Sequence, residues 1–404
     1  MNSLMLIYAL ALAAPATDAP QFLASTMGES YVGEIRKIED NFNVIFANTN
    51  DKPTPQPLIA LRRAGLPLPA YPTGPQIIFA NGDRIPGSLL GGDGLTIQWE
   101  AQISSKLKSK ITVPLLSCAI IWFDEPRGDA VTPKWYEKEG STDILHLRNG
   151  DIIYGTLESI AADGAGLRFK SMNKSVSREY ERSAILAYAP NPSLVRMRIP
   201  KTLYGHIVLA NGSRFCVKSA VYDGTIFKVV LLGNATMLLD LPDVVSLTIL
   251  QGKAIYLADI KPASVKDIPY NSVVWPLVKN RNGKHQPLRL NTPSGEQTYD
   301  FGLGTHSYSE IKYDLAGKYT RFEAIVGLDS QDGKQGNVNV YIYLDGKQIS
   351  LPKLMKLNAA RGGVSVILDV SQARELVLRV DYGTGGDVQD VVNWADARLI
   401  QSSR

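Results

Sequence analysis

The feature that most constrains the fold of this chain is a tight-turn motif that recurs four times in the first 250 of its 404 residues. In three copies an asparagine precedes the glycine, and both residues tolerate the positive φ that a two-residue hairpin turn requires. Runs rich in β-branched side chains flank the turns, so each copy predicts a pair of antiparallel strands. The copies are Met27-Gly28-Glu29, Asn81-Gly82-Asp83, Asn149-Gly150-Asp151 and Asn211-Gly212-Ser213.

The copies continue alike after the turn. A second glycine follows five residues later at Gly33, Gly87 and Gly155, whereas the fourth copy departs with Val217. Because an in-strand glycine is typical of the bend that closes a small barrel, each unit is predicted to be a minimal SH3- or Sm-like barrel or one blade of an array. No unit carries a convergent polar cluster, which favours a structural or spacer role. The repeat region spans residues 17–250, with units at about 21–63, 75–123, 143–189 and 204–250, separated by proline-rich connectors.

The first 16 residues are predicted to be a signal peptide. Residues 4–14 form an apolar stretch that is shorter than the roughly 20 residues needed to span a bilayer. Ala14-Pro15-Ala16 then supplies the small-x-small pattern of a cleavage site. A buried N-terminal helix is the alternative. No later segment reaches transmembrane length, so no membrane span is expected and the protein is predicted to be secreted, periplasmic or in the cell envelope.

Composition and motifs exclude several classes of function. The formal net charge is +4, from 43 basic and 39 acidic residues, so no nucleic-acid partner is expected. The chain lacks the H-E-x-x-H, G-x-S-x-G and P-loop motifs, and its four histidines are far apart, so no enzymatic activity is predicted. Cys118 and Cys216 lie in apolar runs and are interpreted as buried side chains, with a disulfide between them as the alternative.

The sequence changes character after residue 250. Residues 298–315 read TYDFGLGTHSYSEIKYDL and residues 390–399 read DVVNWADARL. Between them lie Val326-Gly327-Leu328-Asp329 and Leu344-Asp345-Gly346-Lys347. With these motifs in this order, residues 251–404 resemble the NPCBM/NEW2 domain, which is also named as a carbohydrate-binding module of glycosyl hydrolase family 98.

The resemblance implies a galactose-binding-like jelly-roll β-sandwich that binds glycans, including galactose-containing ones, without hydrolysing them. The residues agree, because the runs between residues 320 and 380 alternate in polarity and are broken by turns such as Asp332-Gly333-Lys334. The chain is therefore predicted to be all-β, with N-terminal repeats of small antiparallel β-barrel-like units followed by this sandwich. A block of this size is also expected to fold alone.

The closing motif departs from the pattern of the family, which commonly reads D-H-A-D-W-A-D-A. Val391 stands where the histidine would be, and Asn393 replaces the second acidic residue. If that histidine contacts sugar in relatives, either ligand choice has changed in this chain or binding is lost.

Six residues of the sandwich are candidates for sugar binding. A tryptophan or tyrosine can stack on a sugar ring, and a carboxylate can accept two bonds from neighbouring hydroxyl groups. Each candidate also has a structural alternative, which is core packing for the tryptophan and loop tethering for the polar side chains. The candidates are His306, Tyr308, Glu310, Asp390, Asn393 and Trp394.

A second candidate site would hold a metal ion. Asp329 and Asp332 lie in one short loop that could bind a structural Ca²⁺, as sandwich modules of this kind often do. The spacing of these carboxylates matches no EF-hand, and loop tethering is again the alternative. Apart from this ion, no cofactor is expected.

The leading hypothesis is a secreted, non-catalytic carbohydrate-binding protein whose partners are glycans. Its repeats would act as a spacer or as a surface for envelope protein partners. The alternative is a structural or protein-interaction scaffold of the cell envelope with a decayed sugar site. A glycosidase with its active site in the repeats is a third hypothesis.

Overall fold

The computed structural model describes residues 19–28, 30–47, 57–128, 130–136, 140–172 and 176–402. The signal peptide predicted at residues 1–16 lies outside these ranges. Within them the chain consists of antiparallel strands with short 3₁₀ turns, and no helix is long and apolar enough to cross a membrane. The predicted all-β class, with small β units followed by a sandwich, is confirmed.

The first half of the chain folds into four similar units. The first unit holds β1 (Gln21–Thr26), β2 (Ser30–Ile38), β3 (Val44–Phe46) and β4 (Leu58–Arg63). The second holds β5 (Gln76–Phe79), β6 (Arg84–Gly92), β7 (Thr96–Gln102), β8 (Lys108–Pro114) and β9 (Cys118–Trp122). The third holds β10 (Asp143–Leu147), β11 (Ile152–Ile160), β12 (Gly166–Ser171), β13 (Ser177–Glu181) and β14 (Ile185–Ala189). The fourth holds β15 (Tyr204–Leu209), β16 (Arg214–Tyr222), β17 (Phe227–Leu231), β18 (Thr236–Leu239) and β19 (Val244–Leu250).

Each unit closes on itself through its first strand. In the second unit β5 pairs with β6 on one side and with the last strand, β9, on the other. The first strands β1, β10 and β15 do the same in their own units. This closure is that of a small barrel, and it decides against the propeller blade, which is an open sheet. A 3₁₀ turn precedes the last strand in three units, at Leu115–Ser117, Arg182–Ala184 and Leu241–Asp243.

The recurrent residues mark a bend in the second strand of each unit. A Cβ on Gly87 would lie 2.1 Å from the carbonyl oxygen of Glu100, and a Cβ on Gly155 would lie 2.0 Å from that of Lys170, so only glycine fits at these positions. The register then shifts in a β-bulge, which bends and twists the strand. The shift follows Ile35, Leu89 and Leu157, and in the fourth unit it follows Val217.

The units associate in two pairs through their last strands. β9 pairs with β14 between the second and third units, and β4 pairs with β19 between the first and fourth. A contact from β16 to β6 joins the two pairs, and a contact from β16 to β2 adds to the pairing of the first and fourth units. One apolar core runs through all four units and includes Phe22, Trp99, Phe169 and Phe215. The repeats therefore form one packed body.

The second half of the chain forms two stacked sheets. Its first strands are β20 (Ala254–Tyr256), β21 (Ser264–Asp267), β22 (Val278–Lys279), β23 (Leu288–Thr292), β24 (Gly295–Tyr299), β25 (Gly302–Thr305) and β26 (Ser309–Asp314). The remaining strands are β27 (Tyr319–Leu328), β28 (Asn337–Leu344), β29 (Lys347–Gln348), β30 (Leu357–Asn358), β31 (Val364–Asp369), β32 (Glu375–Tyr382) and β33 (Val392–Gln401). One sheet runs β22-β25-β33-β27-β31, the other runs β21-β26-β32-β28-β29, and β23 and β24 form a separate hairpin. Phe322, Leu378 and Trp394 belong to the core between the sheets.

The sandwich packs against the repeats along a contact surface that we call the seam. On the hairpin, Leu288, Leu290 and Tyr299 are each at most 1% exposed, and they pack against Leu68 of a connector and Val208 of the fourth unit. A fragment containing only residues 251–404 would expose these side chains to water. The independent folding of residues 251–404 therefore stays a prediction. Exposure of the seam side chains would destabilise such a fragment.

Both cysteines are free and buried, which agrees with their interpretation as buried apolar side chains. Burial raises the pKa of the Cys118 thiol to about 12 and holds the pKa of Cys216 well above its usual value. Because the thiolate is the reactive form, neither cysteine is a nucleophile at neutral pH.

Candidate functional site

Five aromatic side chains gather at one end of the sandwich, and we call this group the aromatic end. Two of them come from the segment between β21 and β22, two from the turn between β25 and β26, and one from the last position of β32. Ring contacts connect them within two groups. The members are Tyr270, Trp275, His306, Tyr308 and Tyr382.

Trp275 and His306 form the first group. Their ring centroids lie 4.7 Å apart and their planes are inclined by only 16°, so the rings are stacked. His306 is 3% exposed, whereas Trp275 is half-buried. The imidazole therefore supports one face of an indole that still reaches solvent. Burial lowers the pKa of His306, which keeps the imidazole neutral at neutral pH.

Tyr382 connects the members of the second group. Its ring centroid lies 5.3 Å from that of Tyr270 and 6.5 Å from that of Tyr308. The hydroxyl of Tyr382 donates a hydrogen bond of 2.8 Å to the carbonyl oxygen of Ile268, which fixes the ring. Burial raises the pKa of Tyr382, and Asp387, in the loop after β32, raises it further. Asp387 also opposes the lowering of the His306 pKa by burial, so its carboxylate is within electrostatic range of both aromatic groups.

Exposed apolar side chains lie in the segments that carry or follow the members of the aromatic end, and we call them the apolar rim. It consists of Ile268, Val273, Val274 and Val388, which are between 41% and 55% exposed. Tyr270, 55% exposed, lies beside Gly386 in the same region. Exposed apolar side chains that cluster next to polar groups are typical of a binding surface.

A glycine positions Trp275 above His306. Gly304 pairs with Val278, and a Cβ at Gly304 would lie 2.2 Å from the carbonyl oxygen of Arg281. Only glycine allows so close an approach of two backbone segments. The segment that carries Trp275 can therefore lie against β25, immediately before the turn that carries His306.

Glu310 lies near this end, on the outer face of the second sheet. Its Oε2 atom accepts bonds from Nε and Nη2 of Arg379 at 2.7 and 2.6 Å, and it lies 3.3 Å from the hydroxyl of Tyr308. Arg379 also contacts the ring of Tyr343, with its guanidinium 4.8 Å from the ring centroid. The Glu310 carboxylate is therefore partly exposed but already engaged through one of its oxygens.

Asp390 is placed next to the aromatic end but does not face solvent. It is 1% exposed, and its two oxygens accept bonds from Oγ of Ser307 at 2.5 Å and from the backbone N–H of Asn337 at 2.9 Å. These bonds tie three loops together at the end of the sandwich. The structure thus supports the loop-tether alternative for Asp390 and corrects its assignment as a direct ligand of sugar hydroxyls.

The burial of Asp390 leads to a prediction about pH. Burial raises the pKa of this carboxyl from its ordinary value of 3.8 to about 6. Between about pH 4 and pH 6 the folded state therefore binds more protons than the unfolded state, and the stability from this group falls as pH rises through that range. We expect the unfolding free energy of the wild type minus that of Asp390→Asn to fall as pH rises from 4 through 6 and to level off near pH 7. Urea titrations at pH 4, 5, 6 and 7 measure this difference, and a value that does not change with pH would contradict the account.

Two other predicted sugar ligands lie in the interior, and their assignment is corrected. Trp394 is fully buried in the core between the sheets, so neither face of its ring can stack on a sugar. Asn393 is also fully buried, and its amide donates to Oδ2 of Asp329 at 2.8 Å and to the carbonyl oxygen of Arg289 at 3.1 Å. Both act as structural braces of β33.

The loop with Asp329 and Asp332 is held by its own hydrogen bonds. Asp329 is fully buried, and its Oδ1 accepts from the backbone N–H groups of Gln331 and Asp332 at 3.0 and 2.9 Å. Asp332 pairs with Lys284 at 3.3 Å. Among the described residues, no group of three or more His, Cys, Asp or Glu side chains comes together as a metal site. The Ca²⁺ site stays a prediction, and these bonds favour the tether.

Val391 fills the position of the missing family histidine. Its side chain is fully buried, and a Cβ added at Gly283 would lie 3.9 Å from its Cγ1 atom. The backbone carbonyl of Val391 accepts a bond of 2.8 Å from the N–H of Asp329. This position therefore contributes packing and a backbone bond, while the neutral imidazole at this end comes from His306.

Sequence reasoning missed three members of the aromatic end, namely Tyr270, Trp275 and Tyr382. Trp275 stands in the run Val273-Val274-Trp275-Pro276, an apolar cluster beside a proline. A proline argues against a central strand, so an aromatic residue beside it is a candidate for an exposed loop. That signal could have identified Trp275, whereas the approach of Tyr270 to Tyr382 depends on the folded chain.

The fold of the second half of the chain is that of an antiparallel β-sandwich. Residues 253–400 match the family model of the NPCBM/NEW2 domain. A Renibacterium salmoninarum protein provisionally named endo-alpha-N-acetylgalactosaminidase is 27% identical over 121 residues. That match covers 30% of this chain and 8% of the relative, so the chain spans only a small part of the length of the relative.

Solved structures of CBM51 modules are also similar to this chain. One is the CBM51 of Clostridium perfringens GH95 in complex with methyl-galactose, with 24% identity, a TM-score of 0.33, and coverage of 36% of this chain and 99% of that chain. Another holds the CBM51-2 and INT domains of Clostridium perfringens ZmpB in complex with GlcNAc, with 26% identity and a TM-score of 0.33. It covers 45% of this chain and 37% of that chain.

Proposed function

We propose that this protein binds glycans without hydrolysing them, and that the aromatic end of its NPCBM/NEW2 domain is the binding site. The observation that carries the proposal is the half-buried Trp275, which is stacked on the buried His306 at the end of the sandwich that also carries the exposed Tyr270. The family of the domain supports it, because NPCBM/NEW2 domains are carbohydrate-binding modules. We also propose that the protein acts outside the cytoplasm, as a secreted or cell-envelope protein.

The side chains of the aromatic end have the chemistry that sugars require. An indole face attracts the apolar C–H groups of a sugar ring, and the stacked His306 holds that face in place before ligand arrives. Asp387 can accept bonds from two neighbouring hydroxyl groups, because a carboxylate has two oxygens and several lone pairs. Sugar binding at this end therefore combines one aromatic platform with one charged acceptor.

In this proposal the repeats position the sugar-binding domain. Their common core makes them one body, and the seam fixes the sandwich against that body. A rigid support of this kind would hold the aromatic end in a fixed position relative to the repeats.

The test is a glycan array with the full chain, followed by calorimetric titration of the best sugar. A single site of this kind is expected to bind with an affinity of about 0.1–1 mM, which corresponds to about 4–5.5 kcal/mol. Trp275→Ala removes the platform and should weaken binding at least tenfold, because a buried aromatic contact contributes about 1.5–3 kcal/mol. Tyr154→Ala, which removes a 38% exposed ring of the third unit, is the matched control and should leave affinity unchanged.

Two results would favour other functions. If the array shows no bound glycan, the apolar rim around Val273 and Val274 becomes the stronger feature, and the envelope-scaffold alternative is preferred. If the chain hydrolyses nitrophenyl glycosides, the non-catalytic assignment is wrong. Equal sugar binding by Trp275→Ala and the wild type would move the site away from the aromatic end.

A further inference from the structure

Two arginines lie opposite each other at the seam, and their environments differ sharply. Arg84 begins β6 and Arg214 begins β16, and the two residues face each other as a pair between these strands. Both are buried, at 6% and 2% exposure. The ring of Tyr71, from the proline-rich connector between the first two units, lies 3.7 Å from the Arg84 guanidinium and 4.5 Å from that of Arg214.

Arg214 is fully engaged. Its Nε atom pairs with the carboxylate of Asp300 at 2.7 Å, and its two Nη atoms donate to four backbone carbonyl oxygens. Those oxygens belong to Pro69, Ala70, Gly212 and Thr298. The Arg214 guanidinium is therefore a structural link between the fourth unit, the connector and the sandwich.

Arg84 has no such set of acceptors. Within the part of the chain that the structure describes, the Arg84 guanidinium forms no hydrogen bond and no ion pair. It contacts the ring of Tyr71 instead. Burial lowers the pKa of Arg84, and the nearby Arg214 and Arg281 lower it further, although Tyr71 and Asp300 act in the opposite direction. A guanidinium that is only 6% exposed and has no hydrogen-bond acceptor in the protein is costly, because burial removes most of its hydration without supplying partners for its five donors.

A second unpaired atom lies on the same face of the sheet. Gln76 pairs with Pro86, and Ile78 pairs with Arg84, so the side chains of Gln76 and Arg84 point to the same side. Gln76 is fully buried and donates to the carbonyl oxygens of Pro72 and Gly74, but its Oε1 atom has no partner. On this face the Arg84 guanidinium therefore lacks acceptors, and Oε1 of Gln76 lacks a donor.

We infer that the seam beside Arg84 is a binding site for a carboxylate, and that an acidic sugar carrying a neighbouring hydroxyl group fits it best. A carboxylate matches the planar guanidinium through two parallel bonds. A hydroxyl next to that carboxylate would supply the donor for Oε1 of Gln76. Thr73 and Pro75, next to the half-buried Tyr71, are exposed, so the seam reaches solvent at this point. The site lies where the two halves of the chain meet, because Arg281 of the sandwich acts electrostatically on Arg84, and it is independent of sugar binding at the aromatic end.

The test is calorimetric titration of the full chain at fixed ionic strength with acetate, glucuronate and neutral glucose. Acetate carries no sugar ring, so its binding does not depend on the aromatic end. We expect one saturable site for acetate, tighter binding of glucuronate, and no binding of glucose at this site. Equal affinities for acetate and glucuronate would show a site for free carboxylates and overturn the preference for an acidic sugar.

Variants locate the site. Arg84→Gln should weaken acetate binding at least tenfold, and Arg84→Lys should recover only part of it, because an ammonium cannot form two parallel bonds. Arg148→Gln, at an exposed ion pair of the third unit, is the control and should bind like the wild type. Two results would overturn the inference. One is that the wild type shows no saturable binding of acetate or glucuronate up to about 50 mM, on the order of the weakest sites of this kind. The other is that Arg84→Gln binds acetate as well as the wild type does. If Arg84→Gln fails to fold, the wild-type titrations and the acetate affinity of Arg84→Lys still test whether the carboxylate binds at Arg84.

Discussion

Replacing Arg214 with alanine is expected to lower the free energy of unfolding by about 3–5 kcal/mol, the usual cost of removing one partner of a buried ion pair. The substitution leaves the Asp300 carboxylate and four backbone carbonyl oxygens without their donor at the seam. Urea unfolding of the full chain, followed by tryptophan fluorescence, measures the change. The transition should also lose cooperativity, because Arg214 links the repeats to the sandwich.

Arg148→Ala is the matched control for this prediction. Arg148 pairs with Asp124, and both side chains are more than 40% exposed. Exposed pairs contribute at most about 1 kcal/mol, so this variant should unfold almost like the wild type. If Arg214→Ala and Arg148→Ala were equally stable, the seam would not hold the two halves together as described.

Trp394→Ala is expected to destabilise the sandwich by about 3–5 kcal/mol, because it opens a cavity in a packed core. Trp394→Phe keeps most of the volume and should cost less. Trp275→Ala changes a half-buried side chain and should cost about 1 kcal/mol or less. In sugar binding the effects should be reversed. Trp275→Ala should lose affinity and Trp394→Ala should keep it, because only Trp275 belongs to the aromatic end.

Thermal unfolding and sugar titration of the two variants together test this assignment. A folded Trp394→Ala protein that binds sugar with wild-type affinity would support the separation of core from platform. A stable Trp394→Ala protein that has lost binding would return Trp394 to the site and contradict the described packing.

The positions of the turns in the repeats could be predicted from the sequence. The Asn-Gly pairs predicted the hairpins, although only Gly82, Gly150 and Gly212 take a positive φ and the preceding asparagines do not, so the turns are not the predicted two-residue type. Gly87 and Gly155 mark the bends, because a side chain there would meet the opposite strand. The sequence left open whether each unit was a barrel or a blade. That choice depends on pairing between first and last strands, such as β5 with β9, which lie about 40 residues apart and leave no local signal.

The positions of the site residues were harder to predict, and β33 shows why. In a strand with one open face, Asn393 and Trp394 would point to opposite sides and one of them would reach water. Here both faces are covered, because Trp394 packs into the sandwich core while the next residue, Ala395, packs into the seam. The alternation of polar and apolar residues along β33 therefore does not show which side chains reach solvent. For this reason both Asn393 and Trp394 were assigned to the sugar site although neither is exposed.

The carboxylates of the loops raise a related difficulty. Asp329 and Asp390 were chosen as ligands because carboxylates bind metal ions and sugar hydroxyls. Asp329 instead accepts backbone N–H groups of its own loop, and Asp390 accepts the backbone N–H of Asn337 at the start of β28. Loop tethering and ligand binding use the same lone pairs, so only the folded positions of the donors distinguish them.

The most direct test of the central claim, that sugar binds at the aromatic end, is an NMR titration of the indole N–H resonances. The chain has five tryptophans, which are Trp99, Trp122, Trp135, Trp275 and Trp394. Only Trp275 belongs to the aromatic end, and the other four are each at most 9% exposed. On addition of the best glycan from the array, the Trp275 resonance should shift progressively to saturation while the other four stay in place. A saturable shift of any other indole with Trp275 unmoved would contradict the account.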